Sequence, residues 1–210
     1  MKNRLLVISA SDFGREVAWL AKSIPEKDRD WEFGGFLDNR PAILDGYPNA
    51  GEILGDVESY AIQPQDRFVC AIGFPKPRLE YARKIEARGG QFVNLIHPLS
   101  VIGERTLLGS GVIVFHFAFL TTDIQIGSHA VLMPGAIIGH NARVDDGAVI
   151  SAGSFMGGYS KVGECAFLGP HAVVLPKKTI GAGATLGAGS VALRNVKDKQ
   201  TAFGVPATEI

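Results

Sequence analysis

The chain has 210 residues, of which 46% are hydrophobic and 20% charged, so it is expected to fold as a packed, soluble protein of one large domain or two small ones. Its 21 basic and 21 acidic residues give a formal net charge of zero, which argues against a nucleic-acid partner or an anionic membrane partner. No apolar run reaches the ~18 residues of a membrane span or resembles a signal peptide. Cys70 and Cys165 form no CxxC pair and fit a reducing cytoplasm.

The first part of the chain, residues 1–97, alternates between strand and helix patterns. RLLVIS predicts a strand. The next stretch, through REVAWLAKSI, predicts a helix that ends near Pro25. WEFGGFLD and RFVCAIG predict two more strands, PRLEYARKIEARGG predicts a helix with a Gly-Gly stop, and QFVNLIH predicts a fourth strand. This alternation predicts an α/β domain with a small parallel, Rossmann-like sheet.

From Ile102 onward an apolar residue returns at every sixth position without a slip. The sixteen positions are Ile102, Leu108, Val114, Leu120, Ile126, Leu132, Ile138, Val144, Ile150, Met156, Val162, Leu168, Val174, Ile180, Leu186 and Ala192. The following residue is often Gly, as at Gly139, and is expected to permit a turn. The residue four places after the apolar one is usually small, as at Ala142, and is expected to fill a crowded corner.

A fixed period of six residues predicts a parallel β-helix of hexapeptide repeats, or hexads, over residues 98–197. A β-sandwich would have strands of varied length and no fixed period. The last stretch, VALRNVKDKQTAFGVPATEI at 191–210, is expected to leave the coils and cover a neighbouring surface, with residues 198–210 as a C-terminal tail.

Several motifs together resemble the sialic-acid O-acetyltransferase (NeuD-type) family, which includes bacterial nucleotide-4-amino-sugar N-acetyltransferases. The matching stretches are FLDN at 36–39, GEILGDVESY at 51–60, VCAIG at 69–73, NLIHPLS at 94–100, IIGHNARV at 137–144 and GVPATEI at 204–210. The resemblance implies a left-handed β-helix in which three hexads form each triangular coil. It also implies a homotrimer that binds acetyl-CoA in the groove between neighbouring β-helices and acetylates a sugar or sugar nucleotide.

The resemblance also implies an active site. His140 matches the family's general base, Asn141 follows it as the residue that orients the ring, and Gly158 matches the glycine that meets the acetyl carbonyl. Gly158 follows His140 by three hexads, so the two are expected to stack one coil apart. Pro170 and Ala188 match positions along the CoA groove.

The sequence departs from the family pattern in four places. Asn141 stands where an acidic residue is common, Val149 where some members have a second histidine, and Met133 where an asparagine is usual. The glycine-rich N-terminal loop of the family is reduced to SASDFG, in which Asp12 and Phe13 replace a Gly-His pair.

The resemblance places a nucleotide-sugar acceptor at this loop and at the end of the FLDN strand. The corresponding residues are Asp12, Phe13, Gly14, Asp38, Asn39 and Gly73. The alternative is an ordinary turn between strand and helix that binds no ligand. The Asp12 carboxylate is expected to repel a diphosphate, or else to cap the helix that opens at Gly14.

Two functions are compatible with the sequence. The first is a CoA-dependent sugar O- or N-acetyltransferase, and the second is a non-catalytic trimeric scaffold or regulatory subunit in which Asn141, Val149 and Met133 mark a drifted site. A zinc site of the γ-carbonic anhydrase type would need three convergent histidines, two of them five residues apart. The spacings between the five histidines are 19, 13, 11 and 31, so no metal is expected.

Overall fold

The computed structural model describes residues 2–210. Its first part is a five-stranded, all-parallel sheet in the order β3-β2-β1-β4-β5. The elements are β1 (Asn3–Ile8), α1 (Asp12–Ser23), a 3-10 turn (Glu26–Asp28), β2 (Trp31–Leu37), β3 (Ile53–Gly55), β4 (Asp66–Cys70), α2 (Pro75–Glu86) and β5 (Gln91–Phe92). The predicted parallel sheet is confirmed, with β3 as a strand that the patterns did not predict.

The second part is a left-handed β-helix built from strands of two residues each, β6 to β22. In chain order the strands are Leu95–Ile96, Val101–Ile102, Leu107–Leu108, Ile113–Val114, Phe119–Leu120, Gln125–Ile126, Val131–Leu132, Ile137–Ile138, Arg143–Val144, Val149–Ile150, Phe155–Met156, Lys161–Val162, Phe167–Leu168, Val173–Val174, Thr179–Ile180, Thr185–Leu186 and Val191–Ala192. Each pairs in parallel with the strand three hexads away, as Ile138 does with Met156. The predicted fold class is confirmed.

Every third strand belongs to the same sheet, so the coils form a prism with three faces. The domain face contains β6, β9, β12, β15, β18 and β21, and the N-terminal sheet domain packs on it. The apolar face contains β7, β10, β13, β16, β19 and β22. The polar face contains β8, β11, β14, β17 and β20.

The second residue of each strand points into the prism and forms its core. From Val114 onward these residues are almost completely buried, together with the small residues at the corners such as Ala142. Ile102 is an exception with 36% exposure, because it lies in the first coil and has no coil below it.

The glycines that follow the apolar residues have a different role from the one expected. Gly139 does not have a positive φ, but a Cβ atom there would lie 2.8 Å from the carbonyl oxygen of Met156 in the next coil. The left-handed residue of the unit comes two positions later, as at Asn141, whose φ is 57°. Close contact between coils, not turn conformation, therefore requires glycine at this position.

The two parts of the chain meet within the predicted fourth strand, residues 91–97. This segment forms two strands, since β5 completes the N-terminal sheet while β6 pairs with β9 of the β-helix. The side chain of Asn94 lies between them and accepts a hydrogen bond from the amide of Val112 at 2.9 Å. The hexapeptide sheets thus begin at Leu95, three residues before the expected boundary at 98.

The C-terminal segment does not leave the coils as expected. β23 (Thr201–Gly204) pairs in parallel with β21, and β24 (Ala207–Glu209) folds back on it in antiparallel orientation. Phe203 packs directly against Gly187, so this hairpin closes the last coil of its own chain. Of the helices in residues 2–210, none has the length and apolar character needed to cross a membrane.

Candidate active site

His140 lies on the corner between β13 of the apolar face and β14 of the polar face, which is called the His140 corner below. It is the second residue after the buried Ile138, a position at which the chain turns outward. Its ring stands edge-on to the ring of Tyr159, with centroids 5.3 Å apart. The backbone is tied to the next coil, because the amide of Tyr159 donates to the carbonyl of His140 at 2.9 Å.

Asn141 holds the His140 ring from the same turn. The Asn141 Oδ1 atom lies 3.0 Å from His140 Nδ1. A carboxamide oxygen only accepts hydrogen bonds, so in the neutral ring Nδ1 carries the proton and Nε2 has the free lone pair. The left-handed backbone at Asn141 is one that asparagine tolerates well.

Gly158 lies directly against the ring of His140 in the next coil, as the spacing of three hexads predicts. A Cβ atom at residue 158 would be 2.6 Å from His140 Nε2 and 2.7 Å from Cε1. The absence of a side chain therefore makes room for the imidazole and turns Nε2 toward the Gly158 backbone. Within residues 2–210 the amide of Gly158 donates no hydrogen bond to a protein atom.

Two further residues on this corner were not singled out from the sequence. Tyr159 lies one coil after Asn141 and covers one edge of the His140 ring. Asp123 lies one coil before Asn141 and receives two hydrogen bonds from Arg105, at 2.6 and 2.9 Å. Those bonds hold the pKa of Asp123 below its usual value, with smaller contributions from Thr122 and from the nearby His140. Counting three hexads in each direction from Asn141 would have found both residues.

The Pro170 and Ala188 positions lie on a different corner, between the domain face and the apolar face, which is called the Pro170 corner below. They stack one coil apart, and the amide of Gly189 donates to the carbonyl of Pro170 at 2.8 Å. The whole apolar face separates them from His140 of the same chain. Val149 and Met133 are not near His140 either, because both pack into the contact with the N-terminal domain.

A cavity of about 550 Å³ opens at the carboxyl ends of β1, β2 and β4 in the N-terminal domain. Its lining includes five of the six predicted acceptor residues, namely Asp12, Phe13, Asp38, Asn39 and Gly73. The sixth, Gly14, lies behind the cavity wall, where a Cβ atom would overlap the carbonyl oxygen of Ser9. Such a crevice, outside the carboxyl ends of parallel strands, is where α/β sheets commonly bind ligands.

Asp38 is buried and already fully engaged by the protein. Its Oδ2 atom accepts the amide of Ala10 at 2.8 Å, and both carboxylate oxygens accept hydrogen bonds from the Arg40 guanidinium at 2.9 Å. Burial alone would raise the pKa of Asp38, but these bonds hold it below the ordinary value. Asp38 therefore fixes the loop and Arg40, and Arg40 is the cation that lines this cavity among the described residues.

Asp12 does not cap α1, because the helix begins at Asp12 and Ser11 occupies the N-cap position without a side-chain cap. The expected helix start at Gly14 is thus two residues too late. The carboxylate of Asp12 is 98% exposed and forms an ion pair with Arg15, which also stacks on Tyr47. Its charge is directed into solvent and partly balanced, so its repulsion of an anion in the cavity is weaker than expected.

Arg78 joins this cavity to the β-helix. The side chain is buried, and its guanidinium donates to the carbonyl oxygens of Ile72 at 3.1 Å, His129 at 3.1 Å and Gly147 at 2.7 Å. Burial lowers the pKa of Arg78 to about 10. No pattern in the sequence indicated this contact, since the acceptors in the β-helix are backbone atoms 51 and 69 residues away.

A metal centre is not formed by the residues that the structure describes, since no three His, Cys, Asp or Glu side chains converge in it. The histidines instead lie in separate environments. His129 is buried beside Glu86, whereas His97 and His116 contact each other at a ring distance of 5.6 Å near Trp19.

The model for the PglD N-terminal domain matches residues 4–85, and the model for the bacterial transferase hexapeptide (six repeats) matches residues 123–158. Among solved structures, PerB from Caulobacter crescentus in complex with CoA and GDP-perosamine is 30% identical, with 99% of this chain and 97% of that chain covered and a TM-score of 0.89. The comparison with curated proteins found no match.

Two other structures are similar over the whole chain. A variant of perosamine N-acetyltransferase from C. crescentus, in complex with CoA and GDP-perosamine, is 29% identical, with 99% and 97% coverage and a TM-score of 0.88. The acetyltransferase domain of PglB from Neisseria gonorrhoeae FA1090, in complex with acetyl coenzyme A, is 26% identical, with 100% coverage of both chains and a TM-score of 0.89.

Proposed function

Because the chain belongs to the NeuD/PglD-type family of hexapeptide-repeat sugar acyltransferases, we propose that it transfers an acetyl group from acetyl-CoA to an amino or hydroxyl group of a sugar nucleotide. The observation that carries this proposal is the stacking of His140 on Gly158, which brings an oriented imidazole next to an unused backbone amide. An amine is favoured over a hydroxyl, since the similar C. crescentus protein is a perosamine N-acetyltransferase.

We propose a role for three residues of the corner, and the geometry above supports these roles. His140 Nε2 accepts a proton from the amine or hydroxyl while that group attacks the thioester carbon. The Gly158 amide donates to the carbonyl oxygen as it gains negative charge. The new C–N or C–O bond replaces the C–S bond, and the proton passes from the imidazolium to the CoA sulfur. Asn141 orients the ring and keeps the proton of the neutral imidazole on Nδ1.

The outward side of the apolar face supports a homotrimer. The first residue of each of its strands points outward, and these residues are Val101, Phe119, Ile137, Phe155, Val173 and Val191. Phe119, Ile137 and Phe155 are each about 40% exposed, at 43%, 41% and 39%. The equivalent residues of the domain face are covered by the N-terminal domain, while the polar face presents Gln125, Arg143 and Lys161. A continuous apolar strip of this kind is typical of a subunit interface.

Packing of apolar faces would also complete the active site. The apolar face is bordered by the His140 corner on one side and by the Pro170 corner on the other. In a threefold arrangement the His140 corner of one subunit therefore meets the Pro170 corner of the next. Acetyl-CoA would lie in that groove, with Pro170 and Ala188 offering backbone and small side chains along its length.

The acceptor would bind in the cavity of the N-terminal domain. Within one chain this domain covers the domain face, which is opposite the His140 corner. The ring of Phe13 contacts Phe115, at the start of the corner that contains Pro170, with centroids 6.3 Å apart. A sugar extending from the cavity past Phe13 would therefore reach His140 of the neighbouring subunit. The free thiols of Cys70 and Cys165 fit a reducing cytoplasm. We propose that the enzyme modifies sugar precursors of surface polysaccharide there.

The test is release of CoA from acetyl-CoA with a panel of sugar nucleotides that carry an amino group. His140→Ala should lower kcat by ~10²–10⁴, the usual contribution of a general base. Gln125→Ala, on the polar face, is the matched control and should keep the wild-type rate. If no acceptor supports CoA release, the alternative of a trimeric scaffold is favoured. If an acceptor works and His140→Ala has the wild-type rate, His140 is not the base.

A further inference from the structure

At three places in the β-helix, the amide at the third position of the six-residue unit donates to the side chain one coil further on. The amide of Ser128 donates to Asp146 Oδ1 at 2.9 Å, and the amide of Ser110 donates to Ser128 Oγ at 3.2 Å. Near the end of the β-helix, the amide of Ala182 donates to Asp198 Oδ1 at 2.9 Å. In each case a side-chain oxygen in the next coil takes the proton of the amide below it.

Gly158 occupies the same position of its unit, and the residue one coil further on is Pro176. A proline side chain has no oxygen or nitrogen that could accept a hydrogen bond. The ring instead packs over the backbone of Gly157, where a Cβ atom would lie 2.6 Å from Pro176 Cδ. Among residues 2–210 the Gly158 amide therefore has no acceptor at the place where the amide of Ser128 finds one.

We propose that the side chain at residue 176 must lack a hydrogen-bond acceptor, as that of Pro176 does, so that the Gly158 amide stays free to stabilise the oxyanion. This inference rests on the proposed acyl transfer. A preorganised donor contributes to catalysis only if no protein acceptor must be displaced when the charge develops. With aspartate or asparagine at position 176, a side-chain oxygen would hold the amide as Asp146 holds that of Ser128.

The backbone around Pro176 allows this substitution. The amide of Lys177 donates to the carbonyl of Gly158 at 3.0 Å, as the amide of Tyr159 does to the carbonyl of His140 one coil below. Lys177 has the left-handed φ of 63° that recurs at this position of the unit. Serine and aspartate occupy the same position of the unit as Pro176, at Ser128 and Asp146, without changing its conformation. Variants at residue 176 are therefore expected to fold.

Three variants separate capture of the amide from other effects. Pro176→Ala removes the ring and adds no acceptor, Pro176→Asn adds a neutral acceptor, and Pro176→Asp adds an acceptor and a charge. The matched control is Ala182→Asp, which places a carboxylate at the same position of the unit on a corner away from His140. The two readouts are kcat and KM in the CoA-release assay and hydrogen exchange of the Gly158 amide followed by NMR in the absence of substrates.

Pro176→Asn and Pro176→Asp should slow exchange of the Gly158 amide and lower kcat by ~10²–10³, the usual effect of losing one oxyanion donor, with little change in the KM for acetyl-CoA. Pro176→Ala and Ala182→Asp should keep both fast exchange and the wild-type kcat. Slow exchange of the Gly158 amide in wild-type protein would overturn the proposal, as would loss of kcat in Pro176→Asn without slower exchange. The exchange measurement needs no turnover, so it decides the state of the amide even if the proposed function fails.

Discussion

The imidazole of His140 packs against the backbone of Gly158 in the next coil, and a Cβ atom at residue 158 would be 2.6 Å from His140 Nε2. The atom that such a methyl group would displace is the end of a side chain, so we expect the ring to swing away while the coil stays intact. Gly158→Ala should therefore lower kcat by ~10²–10⁴, as loss of a general base does. Its free energy of unfolding, measured with urea, should change by less than about 1 kcal/mol. The double variant with His140→Ala should be no slower than the slower single variant, because both remove the same function.

Asn141→Asp should restore the carboxylate that is common after the catalytic histidine in the family. A negative charge beside Nδ1 stabilises the imidazolium, so His140 becomes a stronger base that is protonated at higher pH. The acidic limb of the kcat/KM profile should move to higher pH, and the rate on the plateau should rise. Asn141→Gly keeps the left-handed turn but removes the hydrogen bond, and it should be slower at every pH. An unchanged pH profile in Asn141→Asp would show that this side chain does not act on the ring.

Phe155→Glu should break the proposed homotrimer, because it places a charge in the centre of the exposed apolar face. Light scattering should then give the 22.4 kDa of a single chain, whereas wild-type protein should give three times that mass. Thr179→Glu changes an outward residue of the polar face in the same way and should leave the trimer intact. A trimer that survives Phe155→Glu would place the interface on another face.

Arg40→Gln should weaken binding of a nucleoside diphosphate to the N-terminal cavity. Asp38 occupies Nε and Nη2 of the guanidinium, which leaves Nη1 directed to other acceptors. Titration calorimetry with GDP, UDP and dTDP should show a loss of roughly tenfold or more, which corresponds to one charge-assisted hydrogen bond. The free nucleosides should bind to wild type and variant alike, and Arg67→Gln, outside the cavity, should behave as wild type.

Asp12→Gly should strengthen diphosphate binding, because it removes a nearby negative charge.

His129 should make the protein less stable at mildly acidic pH. Burial lowers its pKa below the ordinary 6.5, against the opposing effect of Glu86, while Arg78 and Asp146 are the other charged groups that act on it. The unfolded chain binds a proton at His129 near pH 6.5, whereas the folded chain does not. The contribution of His129 to the free energy of unfolding is therefore fully present above that pH and decreases as the pH falls below it. Thermal unfolding between pH 8 and pH 5 should show this loss, and His129→Gln should reduce it. Part of the loss should remain, because burial also lowers the pKa of His97.

The sequence by itself determined the β-helix and the relation between His140 and Gly158. Every coil consists of three hexads. Counting three hexads along the chain therefore leads to the adjacent strand of the same face. Ile138 and Met156 therefore pair as the count predicts, and Gly158 lies one coil after His140, against its ring. The apolar residues at Val101, Phe119, Ile137 and Phe155 obey the same count, so the exposed apolar face was also present in the sequence as a pattern.

Only the tertiary structure decided which partners the side chains of the non-repeating N-terminal domain find. Arg78 reaches carbonyl oxygens, and every residue has a carbonyl, so no sequence pattern marks its partners. Asp38 looks like a ligand-binding carboxylate, yet the fold turns it inward onto Arg40 and the Ala10 amide. Asp12 lies in a loop that lacks the family's glycines. The direction of its carboxylate is known only from its ion pair with Arg15, one helical turn further on. Repeats encode local stacking, whereas the cavity of the N-terminal domain depends on which side chains a non-repeating domain directs toward it.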